Sequence, residues 1–254
     1  IDDNGNYWFR SDRHDNLDKT FFGVTANFNG PDIINEILFG AKRQIVARYI
    51  VTKLWSFFAY PGAPPAVLDA IAPAFAASWD VKQALRAILV HPEFYSSTAR
   101  QGLVRSPVDW IVAVMVQTGY RAALLNPQWF VEGMGQVPFN PPNVSGWRPN
   151  GAWINTSAMG ARAEFARSTT WKLRDGTLAQ NAERGDMGSL ATMPIAQAVD
   201  TVATMFGLEP LSAITRAALT SYLTVQRAAQ RWPDWWESTN LLTMAMIAPE
   251  MHVA

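Results

Sequence analysis

From Pro31 onward the chain is a succession of segments with helical periodicity, each bounded by a residue that opens or stops a helix. This punctuation limits the fold more than any other feature. Residues 32–39 predict a short helix stopped by Gly40, and residues 41–59 a long one ended by Tyr60-Pro61-Gly62. Pro64 and Pro65 suit the first turn of a helix reaching about Ala77, where a missing N–H costs nothing. Asp80 caps a further helix that ends near His91, because the residue before Pro92 is driven out of helical geometry. Ser106-Pro107 opens a helix to Gln117 with Gly119 as its stop, and Asn155 or Thr156 caps one running through Trp171. Three more are expected over 194–206, 211–231 and 235–247. The first thirty residues differ. Tyr7-Trp8-Phe9 and Thr20-Phe21-Phe22-Gly23 are aromatic runs flanking a polar turn at 11–18, which predicts a hairpin or paired extended segments. The expected fold is therefore mainly α: a single multi-helix domain over 31–254, an extended β-hairpin segment over 1–30, and an exposed loop at about 174–191.

An internal echo suggests a duplicated helical unit. Residues 84–94 (ALRAILVHPEF) resemble residues 241–251 (LLTMAMIAPEM), each an apolar helix closing on a Pro-Glu-apolar step. A Pro-initiated helix lies upstream of both, at Pro65 and Pro210.

Composition excludes several functions. Lys+Arg and Asp+Glu balance at 21 each, so no basic footprint for nucleic acid exists. No run approaches the roughly 18 apolar residues of a membrane span. With no cysteine and three histidines (His14, His91, His252), a metal site would have to be filled by carboxylates, and neither a metal nor a cofactor is expected. The eleven tryptophans read chiefly as large core pieces. The chain opens on Ile1 without a signal peptide and reads as part of a longer product.

The candidate site centres on residues 133–165, where a loop with four prolines (Pro138, Pro141, Pro142, Pro149) and two tryptophans (Trp147, Trp153) feeds a capped helix. Proline and glycine at that density fix a loop in place. Trp147 beside Arg148, with Trp153 and the cap Asn155, would suit a sugar or small anion if Trp147 faces solvent; buried, it would plug the loop onto the core. Arg162 shares a helical face with Met159, Phe165, Ala166 and Thr169, so its charge needs a carboxylate, carbonyl or ligand anion. That partner is expected near the loop. Lys53 is similarly placed among Val46, Tyr49, Ile50 and Phe57. His14-Asp15 has the composition of a proton-transfer pair, but the favoured reading is that Asp15 closes the turn on backbone N–H groups with His14 packing nearby. His91 reads as a cation at a helix C-terminus.

Several of these motifs together resemble the bacterial domain of unknown function 1800 family (DUF1800). They are Arg13-His14-Asp15 with Lys19-Thr20-Phe21-Phe22-Gly23, the segment 45–55 (IVARYIVTKLW), Arg105-Ser106-Pro107, Met134-Gly135-Gln136, and Gly146-Trp147 with Trp153-Ile154-Asn155. The resemblance covers the C-terminal half of a typical member. It implies an exported protein, periplasmic, cell-surface or extracellular, often encoded beside a sulfatase-like partner.

Two functional classes follow. The first is a non-catalytic interaction or assembly domain that docks the missing N-terminal half or a sulfatase-like partner. The alternative is half of an enzyme, hydrolase-like and acting on glycans or sulfated or anionic substrates. His14, Asp15 and Arg162 would then be catalytic, and Lys53, Trp147, Arg148, Trp153 and Asn155 would bind ligand. No nucleophile elbow, phosphate loop, dinucleotide fingerprint or zinc-helix motif is present, which favours the first class.

Overall fold

The computed structural model describes residues 4–119, 126–174, 190–229 and 234–254, and they form a mainly helical protein with one short hairpin. Contacts divide the chain into two compact units, Ile1–Arg100 and Gln101–Ala254, each with its own apolar core.

In the first unit, β1 (Lys19–Phe21) pairs antiparallel with β2 (Val24–Ala26), with Phe21 opposite Val24. The two-residue connection is Phe22-Gly23, both at positive φ (51° and 86°), as a type I′ hairpin turn requires. The hairpin therefore folds about Phe22-Gly23 and not about the polar turn at 11–18. Tyr7, Trp8 and Phe9 lie outside it, because a tight turn closes register locally where a longer loop must order more chain.

Helix α1 (Gly30–Phe39) begins in a capping box, Asp32 N–H donating to Asn29 Oδ1 at 3.1 Å and Asn29 N–H to Asp32 Oδ2 at 2.9 Å. Helix α2 (Arg43–Phe58) buries Ala47, Val51 and Trp55, spaced four apart. They meet Ile71 and Phe75 of α3 (Pro65–Ser78) and Ala84 and Ile88 of α4 (Val81–Leu89) in one core cluster. Asp80 caps α4 through Gln83 N–H, as expected. A 3-10 turn (Pro92–Tyr95) and a short α5 (Ser97–Arg100) close the unit. The His91 side chain caps the turn that follows α4 and not the C-terminus of α4, its Nδ1 accepting from Glu93 N–H at 3.1 Å.

The second unit contains α6 (Pro107–Thr118), α7 (Pro127–Gly133), α8 (Thr156–Arg174), α9 (Ile195–Phe206), α10 (Ala213–Ala229) and α11 (Asp234–Met246). Helix α8 packs along α11, and α9 packs against α10 and α11. Its core includes Trp110, Val114, Phe165, Ala166, Phe206, Leu219, Leu223 and Met246. The expected loop at 174–191 falls almost wholly outside the described residues. Helix α7 and α5 carried no periodic signal of their own, being about two turns and one turn long.

The two echoing segments fold alike. Helix α4 leads into the Pro92–Tyr95 turn, and α11 into a Pro249–His252 turn. In each, the glutamate after proline accepts hydrogen bonds from the chain beside an upstream helix, which opens on Pro65 in α3 but on Ala213, and not the expected Pro210, in the second unit. Glu93 accepts from the Tyr60 hydroxyl at 2.8 Å, and Glu250 from Ser212 N–H and the Thr215 hydroxyl, both at 3.0 Å. Burial and the Glu93 carboxylate push the Tyr60 phenol up to about 12.

Trp55 is fully buried at the centre of the first core, with Tyr60, His91 and Phe94 packed edge-on to its ring. Trp55→Ala is expected to cost about 3–5 kcal/mol in urea denaturation, as for other large-to-small core changes. A loss below 1 kcal/mol would show that this cluster does not hold the unit together.

Candidate functional site

The second unit is organised around a buried cation. Arg162, on α8, is 0% exposed. Its Nη1 donates to His252 Nδ1 at 2.7 Å and its Nη2 to the Arg105 carbonyl at 2.8 Å. The guanidinium lies 5.5 Å from the centre of the Trp110 ring, a separation at which the π face offsets part of the lost hydration. The partners are therefore a carbonyl, an imidazole and an aromatic face. The ion pairs among the described residues include neither Arg105, Arg162 nor His252. None of the Arg162 partners belongs to the 133–153 loop, which corrects the expectation that Arg162 pins that loop to the helix. Arg162 is pinned to the 103–106 segment and to the Pro249–His252 turn, which the helical spacing of α8 could not reveal.

Donor logic fixes the tautomer of His252. Arginine can only donate, so Nδ1 accepts; the Ile247 carbonyl can only accept, so Nε2 carries the proton, at 3.2 Å. The ring is 5% exposed and stacks on Trp110 with 6.0 Å between centres. Burial, and then the Arg162 charge, hold its pKa down at about 4. Burial and the neighbouring Arg105 charge likewise push Arg162 down to about 10, still cationic at neutral pH. Arg105 itself is lowered by burial, with Asp109 partly offsetting it. Beside this centre, residues 103–105 pair with residues 252–254. Leu103 and Ala254 exchange both backbone bonds at 3.1 and 2.8 Å, and Arg105 N–H donates to the His252 carbonyl at 2.8 Å.

The proline-rich loop is anchored from several sides. Val108 N–H donates to Gln136 Oε1 at 2.9 Å, Val104 N–H to Asn150 Oδ1 at 3.1 Å, and Asn155 Oδ1 caps α8 from Ala158 N–H at 2.9 Å. Trp153 is buried and Trp147 half-buried, while Arg148 is exposed. Between these anchors, Asn140 N–H bonds the Val137 carbonyl at 3.0 Å. Pro138 then stands second in the turn and Phe139 third, at φ 64°, the positive-φ position of a type II turn that glycine normally fills. Phe139 is fully exposed and borders an open groove of about 420 Å³, lined by Val108, Ile111, Val112 and Met115 of α6, Val131 of α7, and Phe139 itself. Val112 and Val116 continue the apolar surface along α6.

The remaining candidates belong to the first unit. Lys53 lies on the exposed side of α2, with its ammonium 5.4 Å from the Tyr49 ring centre, and not on the buried Ala47/Val51/Trp55 face. His14 and Asp15 do not bond one another. His14 is held between the Asn16 side chain (3.1 Å) and the Phe28 carbonyl (3.3 Å), and Asp15 accepts from Leu17 N–H at 2.9 Å, closing a turn. Among the described residues no three His, Asp or Glu side chains gather as metal ligands, and no helix is long and apolar enough to cross a membrane. Sequence reasoning missed Arg105, Trp110, His252 and Phe139. The Arg105-Ser106-Pro107 motif and the scarcity of histidine were the available signals.

With the architecture and this buried centre described, the class is plain: a helical protein of the DUF1800 family. The family model, described as a protein of unknown function, matches residues 1–253, and the chain belongs to that family. No curated protein and no solved structure matches the chain.

The pH dependence has a definite sign. The folded pKa of His252 lies below its ordinary value of 6.5, so the unfolded chain binds more protons between about 4 and 6.5 and stability falls as pH falls through that window. At 1.36 kcal/mol per unit the contribution is on the order of 3 kcal/mol. Arg162→Met should cost about 2 kcal/mol at pH 7, leaving His252 Nδ1 and the Arg105 carbonyl unpaired. It should also raise the His252 pKa, read by NMR titration. An unchanged titration would show that Arg162 does not control the imidazole.

Proposed function

We propose that the chain is a non-catalytic interaction and assembly domain whose docking surface is the α6–α7 groove with Phe139 at its edge. The observation that supports this most is the conformation of Phe139. A left-handed backbone costs an L residue roughly 1–2 kcal/mol, and glycine would relieve it. Here that position carries a fully exposed phenyl ring beside an apolar groove. Such an arrangement leaves the ring uncovered by the rest of the fold and suits a preorganised anchor for another protein surface. The partner in this reading is the N-terminal half of a full-length family member, or a sulfatase-like protein encoded beside it. Export to the periplasm, cell surface or medium belongs to the same reading and is checked by fractionating cells that express the full-length protein.

Phe139→Gly separates anchoring from folding. Relief of the left-handed backbone outweighs glycine's entropic cost of about 0.5–1 kcal/mol, so the variant should melt at or above the parent temperature. Its affinity for the purified N-terminal half or sulfatase-like protein, measured by calorimetry, should fall at least tenfold, and Val112→Glu should do the same. Equal affinity in both variants would overturn the proposal. Turnover of a glycan or sulfate ester that is lost on Trp147→Ala and Arg148→Ala would replace it with the enzyme reading.

A further inference from the structure

The groups around His252 leave an added proton nowhere to go. On α8 it faces Arg162; on the 103–105 segment, Arg105; on α6, the Trp110 ring; and at the end of α11, the Ile247 carbonyl. The nearby carboxylates are engaged elsewhere. Asp109 of α6 accepts from Ser106 N–H and its hydroxyl, and Glu250 from Ser212 and Thr215. Protonated Nδ1 would be a donor 2.7 Å from the Arg162 donor, with like charge on both sides. One partner must move. Arg162 rises from a 19-residue helix whose neighbouring Ala158, Phe165 and Ala166 are buried in the core. The 249–254 segment is a single 3-10 turn held by Glu250, by the Arg105 Nη1 bond to the Met251 carbonyl at 3.3 Å, by the buried Met251 side chain and by three backbone bonds to residues 103–105. Both elements are buried, Met251 fully so, and the shorter one, a single turn, is the one that yields.

We propose that His252 is an acid-sensitive latch whose protonation frees the 249–254 segment from Arg162 and from the 103–105 segment while the helices of the unit stay folded. The proposal is independent of the docking groove. Opening restores the ordinary imidazole basicity, so the open state gains about tenfold over the closed state for each pH unit below 6.5, down to about 4. The Glu250 carboxylate contributes only further down: burial pushes it up, but hydrogen bonds from Ser212, Thr215 and the backbone outweigh this and leave it below its usual 4.5. Between pH 6.5 and 5 the slope thus belongs to His252.

The test is amide hydrogen exchange by NMR from pH 7.5 to 4.5, expressed as protection factors to remove the intrinsic pH dependence. The amides of Leu103, Arg105 and Ala254 should lose protection about tenfold per pH unit below 6.5, while Leu219 and Leu223 in α10 keep theirs. His252→Gln can accept from Arg162 and donate to Ile247 without titrating, and should make the three amides pH-independent while His14 and His91 remain. If that variant does not fold, the contrast between the two amide groups in the parent chain decides alone. Flat protection at residues 103, 105 and 254, a parallel loss throughout α10, or the same slope in His252→Gln would overturn the latch.

Discussion

A guanidinium buried without a carboxylate is the constraint around which the second unit is built. Desolvating Arg162 is tolerated only because three different groups each offset part of the cost: the Arg105 carbonyl, His252 Nδ1 and the Trp110 face. Each comes from a different element, so the charge forces the 103–106 segment, α6 and the Pro249–His252 turn to meet α8 at one point. It also dictates the state of the histidine, because an arginine partner accepts nothing and excludes the imidazolium. A hydrophobic residue at position 162 could fill the volume but would specify none of these meetings.

Much of the helical architecture was legible because helix punctuation is local chemistry. Asp80, Ser106-Pro107, Gly119 and Asn155 act within four residues of themselves, so reading them needs no tertiary information. The hairpin was legible in kind but not in register, since two aromatic runs were available and only the Phe22-Gly23 turn decides between them. Helical phase likewise placed Arg162 on a buried face. The same argument failed for Lys53, because α2 carries apolar residues on its exposed side as well as on the Ala47/Val51/Trp55 side, and periodicity does not say which side is covered.

What stayed illegible is pairing across long sequence separation. Arg162 meets a histidine ninety positions away and a carbonyl fifty-seven positions away. Neither partner lies on a periodic element, for His252 sits in a 3-10 turn and Arg105 ahead of a helix. At His14-Asp15 the favoured turn-closing reading holds and the two side chains do not pair, for a different reason. Adjacent residues in an extended turn point apart, and the carboxylate finds a backbone N–H two residues on before it can reach the imidazole.

Two costly features of the second unit can then be told apart by what compensates them. Although the buried Nε of Arg162 has no hydrogen-bond partner among the described residues, the cost there is offset within the fold at Nη1 and Nη2, by groups whose positions it explains. The cost at Phe139 is not: its ring touches solvent, its backbone sits where glycine would rest more easily, and the anchored loop around it holds the turn in place. Strain that the surrounding structure maintains without repaying directs attention outside the chain. In the proposed readings the buried cation bears on how this unit folds and opens, and the exposed phenylalanine on what it docks.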